Sequence, residues 1–167
     1  MNERSSFRIT PVRTANDLAS TVKLFRAYAS SLDIDLSYQD FEAEMEAMPG
    51  KYAPPAGELL LARSSNGTPV GCVGLRPIEP HGCCEMKRLY VCPEARGLGL
   101  GERLVDAVVK EAKRIGYREM RLDTLPSMAG ALNGRGHRAV SKVRVRAHRA
   151  LLRDPRDRDD IHAPLSH

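Results

Sequence analysis

Residues 96–101 place three glycines at alternate positions between a strand pattern and an amphipathic helix pattern. The segment reads Arg96, Gly97, Leu98, Gly99, Leu100 and Gly101. Because glycine lacks a Cβ atom, the backbone N–H groups of such a loop can converge on an anion at close range. The helix that follows adds the positive end of its dipole, and Arg96 adds a full charge. The segment therefore predicts a cradle for a diphosphate at a strand-to-helix turn.

Two other phosphate-binding motifs do not fit this loop. A Walker loop ends in Gly-Lys-Ser or Gly-Lys-Thr, whereas Gly101 is followed by Glu102 and Arg103. A Rossmann fingerprint has its third glycine three residues after the second, whereas these glycines recur every second residue. A glycine-rich turn without a ligand is the remaining alternative.

Hydrophobic periodicity predicts the elements around the loop. Strands are predicted at residues 7–12, 58–63, 69–75, 84–91 and 118–125, and helices at 17–32 and 102–115. A short helix is predicted between an N-cap at Ser37 and the stop at residues 48–50, and a last helix after Ser127. Asn66 and Gly67 predict a tight hairpin turn.

The loop and this element order resemble the GNAT family of N-acetyltransferases. The family signature is Arg or Gln, two residues, Gly, one residue, and Gly or Ala, and Arg96, Gly99 and Gly101 occupy these places. The resemblance extends from residue 7 to about residue 132. It implies an α/β (α+β) fold, a GNAT-like mixed, mostly antiparallel sheet flanked by helices, with residues 1–132 as an incomplete acetyl-CoA-binding domain.

The resemblance also implies a function and its site. The chain would move an acetyl group from acetyl-CoA to an amine of a small molecule or peptide. Main-chain groups of Leu89, Tyr90 and Val91 would pair with the pantetheine arm, and the amides of residues 96–101 would hold the diphosphate. The fourth and fifth strands would separate to admit the cofactor, so that the thioester lies beside residues 89–91 and 122–125.

The chemistry requires a base, because an ammonium group with a pKa of roughly 10 cannot attack a carbonyl. The resemblance offers Glu85, eleven residues before Arg96, as the catalytic base. A carboxylate that only pairs with Lys87 is the alternative interpretation of Glu85. A main-chain N–H of the fourth strand would stabilise the oxyanion.

The rest of the composition predicts a soluble cytoplasmic enzyme without a metal. No apolar run reaches the roughly 18 residues of a membrane span, and no apolar segment of a secretory signal follows Met1. The four cysteines form no Cys-x-x-Cys pair, so we expect reduced, mostly buried thiols and no zinc site. An amine substrate is the expected partner, and a homodimer is left open.

The last fifth of the chain departs from the family. Residues 133–167 contain eight Arg and one Lys against four Asp, which accounts for the whole net charge of +5, and none of the eight aromatic residues. We interpret this segment as a basic tail that is irregular or loosely helical. The family's helix with a thiolate-protonating tyrosine, and its last two strands, are not recognised there. The chain is therefore expected to lack the last two strands of the sheet.

Three accounts of the tail remain open: a disordered extension, a nucleic-acid-binding arm, and the normal ending of the family translated in a shifted reading frame. A shifted frame permits Pro-Tyr-Tyr from residues 148–154 and Phe-Met-Arg-Leu from residues 158–166, which resemble that ending. We favour this third account. Nucleic-acid binding is disfavoured because the tail has no aromatic stacking platform. The functional alternative is an acetyl-CoA-binding domain with impaired catalysis.

Overall fold

The computed structural model describes residues 6–31, 41–124 and 142–147, in which apolar strand segments form a sheet and amphipathic segments form the helices. The strands are β1 (Arg8–Pro11), β2 (Glu58–Arg63), β3 (Pro69–Ile78), β4 (Cys83–Val91), β5 (Glu119–Thr124) and β6 (Lys142–Ala147). The helices are α1 (Ala15–Ser31), α2 (Phe41–Glu46) and α3 (Leu100–Ile115). The N-cap predicted at Ser37 and the helix predicted after Ser127 lie outside the described residues.

The strands form one sheet in the order β1-β2-β3-β4-β5-β6. The pairs from β1 to β4 are antiparallel, and β5 lies parallel to both β4 and β6. The hairpin between β2 and β3 is present where the Asn-Gly pair predicted it, and Gly67 has a φ of 87°, whereas Asn66 is not in the positive-φ region. The mixed, mostly antiparallel sheet is confirmed.

Helices cover both faces of the sheet. On one face, α1 and α2 pack on Leu59, Leu61 and Cys72, and on the other α3 packs on Leu60 and Ala62. Since neighbouring residues of β2 point to opposite faces, a strand covered on both sides needs a continuous apolar run. This explains the apolar run of residues 59–62, all of which are buried.

The packing of α3 fixes the start of that helix against the sheet. Its buried stripe contains the predicted Leu104, Val105, Val108, Val109 and Ala112, and it ends at Gly116, whose φ is 106°. At the other end α3 approaches the sheet closely, because a Cβ atom at Gly71 would lie only 3.1 Å from Leu104 Cδ1. The glycine loop that precedes α3 is therefore held beside β3 and β4.

The sixth strand corrects our expectation for the basic tail. We predicted that residues 133–167 are irregular or loosely helical and supply no strand, but Lys142–Ala147 pairs in parallel with the whole of β5. These six residues alternate basic and apolar side chains and include two β-branched valines, which is a strand pattern. The free edge of β5 offers the backbone groups with which such a segment pairs.

The four cysteines are free thiols, and Cys72, Cys83 and Cys84 are buried while Cys92 is half-buried. This confirms the prediction of reduced, mostly buried side chains. Burial raises the pKa of Cys84 to about 12, which keeps the thiol protonated and unreactive at neutral pH. Across residues 6–31, 41–124 and 142–147, no cluster of side chains suited to a metal ion is present, and no helix is long and apolar enough to cross a membrane.

Candidate functional site

The glycine loop follows the end of β4 and opens onto free space. Gly97 and Gly99 have φ angles of 76° and 79°, in the left-handed region that favours glycine. A Cβ atom at either position would meet no atom within 4 Å, so the loop is not covered by neighbouring described residues. Gly99 is the N-cap of α3, and among the described residues no side chain caps that end. The first-turn N–H groups of α3 are therefore available to an anion.

Arg96 is held between this loop and the last residues of β4. Its Nε donates a hydrogen bond to the Val91 carbonyl oxygen at 3.0 Å. Its guanidinium carbon lies 5.8 Å from the centroid of the Tyr90 ring. These contacts keep a positive charge at the loop, where a diphosphate would need it.

A β-bulge shifts the pairing of β4 with β3 near the end of β4. The register with β3 shifts between Cys72, which pairs with Tyr90, and Gly74, which pairs with Lys87. Two residues of β4, Arg88 and Leu89, therefore oppose one residue of β3. Arg88 has a φ of 56° and is the non-glycine residue with positive φ in the described part of the chain. A bulge bends its strand, and this one lies in the stretch that leads to the glycine loop.

The pairing of β4 with β5 ends at the bulge. The register runs from Cys83 with Glu119 to Met86 with Leu122 and then stops, although β4 continues to Val91 and β5 to Thr124. On the side that faces β5, the described structure leaves the main chain of residues 89–91 without a partner strand. The separation that we expected at this place is present.

A cavity of about 480 Å³ lies between α2, the turn after it, and the β3–β4 pair. Its sheet side is formed by Arg76, Lys87 and Arg88, and its helix side includes Glu44 and Lys51. This volume suits a small molecule. The cavity therefore lies next to the bulge, on the face of the sheet that α2 covers.

Glu85 lies one residue before the point where the two strands separate, and both of its oxygens face cations. Its Oε2 accepts a hydrogen bond from Arg76 Nε at 3.0 Å, and its Oε1 lies 3.7 Å from Lys87 Nζ. Arg76 and Lys87 both line the cavity. The pairing with Lys87 that we considered as the alternative interpretation is present, and it places the carboxylate at the margin of the cavity.

Glu44 ties α2 to the bulge. Its carboxylate accepts a hydrogen bond from the Tyr52 hydroxyl at 2.8 Å and from Arg88 Nη2. The guanidinium carbon of Arg88 lies 4.8 Å from the centroid of the Phe41 ring, and the Arg88 side chain is only 8 % exposed. Burial, and then the Glu44 charge, raise the pKa of Tyr52 well above its usual value, so its hydroxyl stays a donor.

The structure thus brings the predicted cofactor residues together at the end of β4 and the start of α3. It adds Glu44, Tyr52, Arg76 and Arg88, which the sequence did not single out. A positive φ at an arginine and a pairing between residues 44 positions apart leave no local sequence signal.

A glycine loop at a helix N-terminus beside two separated strands is the architecture of an acyltransferase that uses a CoA thioester. The chain belongs to the acetyltransferase (GNAT) family, whose model matches residues 20–133. An uncharacterized N-acetyltransferase of Schizosaccharomyces pombe is 40 % identical over 132 residues, which cover 79 % of this chain and 81 % of the relative. An IAA acetyltransferase of Azospirillum brasilense is 39 % identical over 72 residues, or 43 % of this chain and 46 % of that protein.

Solved structures share the fold. A GNAT-family acetyltransferase of Staphylococcus aureus has a TM-score of 0.62 at 19 % identity, covering 76 % of this chain and 78 % of its own. A GNAT-family N-acetyltransferase of Escherichia coli in complex with CoA has a TM-score of 0.60 at 18 % identity, covering 77 % and 68 %. Such identities establish the fold, and the family match establishes an acyltransferase.

Proposed function

We propose that this chain transfers an acetyl group from acetyl-CoA to an amine of a small molecule or peptide. The observation that carries the proposal is the separation of β4 from β5 directly before the glycine loop. A main chain without a partner strand offers donors and acceptors to an extended amide-containing arm, and the loop offers N–H groups to a diphosphate. CoA contains an amide-containing pantetheine arm followed by a diphosphate. The E. coli structure in complex with CoA supports a CoA thioester as the donor.

Each part of the donor would have its own residues. Main-chain groups of Leu89, Tyr90 and Val91 would hydrogen-bond the pantetheine arm. The N–H groups of residues 96–101 and the Arg96 guanidinium would hold the diphosphate. A main-chain N–H beyond the bulge would donate to the thioester carbonyl oxygen as negative charge develops on it.

The cavity beside the bulge would receive the acceptor. The thioester supplies an electrophilic carbonyl carbon, and the amine nitrogen forms an amide bond to it. Glu85 would take the proton that this nitrogen loses, directly or through one water. The carbon–sulfur bond breaks, and the sulfur of CoA takes up a proton.

A catalytically impaired acetyl-CoA-binding domain is the second candidate, and one observation favours it. No tyrosine follows Tyr117 in the sequence, whereas the family resemblance implies one that protonates the departing sulfur. In that case CoA would bind without measurable acetyl transfer. The two candidates therefore share the donor site and differ in turnover.

The donor site can be tested by thermal unfolding with and without CoA. Ligand at 100 times its Kd stabilises a protein by about 2.7 kcal/mol, which corresponds to roughly 5–10 °C for a domain of this size. Gly99→Glu should abolish this shift, because it places a carboxylate among the N–H donors.

Gly67→Glu is the matched control. Gly67 also has a positive φ, 87°, and no atom within 4 Å of an added Cβ, but it lies in the hairpin between β2 and β3. The Gly67→Glu variant should therefore have the same backbone strain and added charge as Gly99→Glu, but it should retain the CoA-induced rise in melting temperature. A wild-type protein that CoA leaves unchanged would refute the donor site.

A further inference from the structure

The charges around the cavity beside the bulge are strongly unequal. Lys51, Arg76, Lys87 and Arg88 contribute four cations, and Glu44 is the one carboxylate among the described residues that line it. Glu85 contacts two of these cations from the margin of the cavity. Even with Glu85 included, the cations outnumber the carboxylates by two. An acceptor that carries only positive charge would be repelled by this lining.

Two of the cations have unused capacity for an anion. Lys51 is exposed and has no ion-pair partner among the residues that the structure describes. The buried Nε of Arg88 has no hydrogen-bond partner within the same ranges. A buried donor without a partner is destabilising, and an anionic oxygen placed near the guanidinium would offset that cost. Arginine and lysine together are the usual recognition groups for carboxylates and phosphates.

We propose that the acceptor of this enzyme is a small amine that also carries an anionic group, a carboxylate or a phosphate. The inference rests on the proposed acetyl transfer and identifies the class of its acceptor. The amine is placed toward Glu85, the candidate base. The anionic group is placed toward Lys51 and Arg88, the cations that do not contact Glu85. The cavity of about 480 Å³ limits the acceptor to a small molecule or a single residue.

The experiment measures acceptor binding to the CoA-loaded protein by calorimetry, with matched pairs of amines. One arm compares the standard amino acids with their carboxamides, which lack the carboxylate. The other arm compares glucosamine 6-phosphate with glucosamine, and spermidine represents a purely cationic amine. The anionic member of at least one pair should bind about tenfold more tightly than its neutral counterpart, and the arm in which this occurs distinguishes carboxylate from phosphate.

A lysine variant tests which side of the cavity is used. Lys51→Met should reduce the preference for the anionic member several-fold. Lys110→Met is the matched control, since Lys110 is exposed on α3, across the sheet from the cavity, and should leave the preference unchanged.

The CoA-induced melting shift separates the two proposals. Suppose that CoA binds. The anionic-acceptor inference is then wrong, while the donor site stands, if neutral or cationic amines bind as tightly as the anionic ones. The same holds if no anionic amine binds measurably. If CoA does not bind, the proposed function itself fails.

Discussion

The ion pair between Arg88 and Glu44 joins the bulge of β4 to α2, and Arg88→Met removes it. The Arg88 side chain is 8 % exposed and that of Glu44 is 21 % exposed, so the pair is largely buried. Removing one partner of a buried pair costs about 3–5 kcal/mol when the other charge is left without compensation. Glu44 would keep the Tyr52 hydroxyl at 2.8 Å and Arg76 Nη1 at 3.7 Å, which places the loss at the lower end of that range.

The aromatic contact adds a smaller contribution. The Arg88 guanidinium carbon lies 4.8 Å from the Phe41 ring centroid, and methionine would retain an apolar contact with that ring. Such a cation–π contact contributes about 0.5–2 kcal/mol. The lower end of the ion-pair range and this partly retained contact together predict that Arg88→Met lowers the free energy of unfolding by about 3–4 kcal/mol, which is roughly 6–16 °C in Tm for a domain of this size.

Urea unfolding followed by circular dichroism measures this loss. Arg26→Met is the matched control, because Arg26 also pairs with a glutamate of α2, Glu42, but the two side chains are 46 % and 67 % exposed. That exposed pair should contribute too little to detect. A double-mutant cycle with Glu44→Gln then isolates the coupling between Arg88 and Glu44.

Two results would refute this reasoning. One is an Arg88→Met protein that is no less stable than Arg26→Met. The other is a double-mutant cycle in which the Arg88 and Glu44 substitutions add without coupling, because the pair would then contribute nothing to the packing of α2 on the bulge.

Three further predictions concern the base, an ion pair and the tail. Glu85→Gln should lower turnover at neutral pH, with partial recovery at high pH and an unchanged CoA melting shift. Glu119→Gln removes a paired carboxylate from the next strand and should keep turnover. Equal activity of both variants at every pH would remove Glu85 from the mechanism. The Arg63 guanidinium holds the pKa of Asp17 below its usual value. This pair therefore stabilises the fold above about pH 4, and the contribution is lost as the pH falls through the folded-state pKa. Asp17→Asn should lower Tm at pH 7 but not near pH 2, and an equal loss of Tm at both pH values would contradict the linkage. Sequencing the gene should reveal, after one base is inserted or deleted near codon 133, a frame that encodes Pro-Tyr-Tyr and Phe-Met-Arg-Leu, and an early stop in that frame would rule out the shifted ending.

The sequence alone determined the features that depend on neighbouring residues. The glycines of residues 96–101, the amphipathic stripe of α3 and the Asn-Gly hairpin are local, because φ angles, helix periodicity and turn geometry depend on residues within one or two turns. The family resemblance, carried by the same segment, then predicted where β4 and β5 separate. The place of the proposed cofactor site follows for this reason from the sequence.

The tertiary structure decided everything that joins distant residues. The alternating pattern of Lys142–Ala147 does not specify a strand by itself, since its pairing partner is the edge of β5. The bulge at Arg88 arises from the register between β3 and β4, which depends on how both faces of the sheet are packed. The cluster of Glu44, Tyr52 and Arg88, and the charged cavity beside it, form because α2 is folded onto that bulge, and long-range contacts of this kind are set by packing across the whole core.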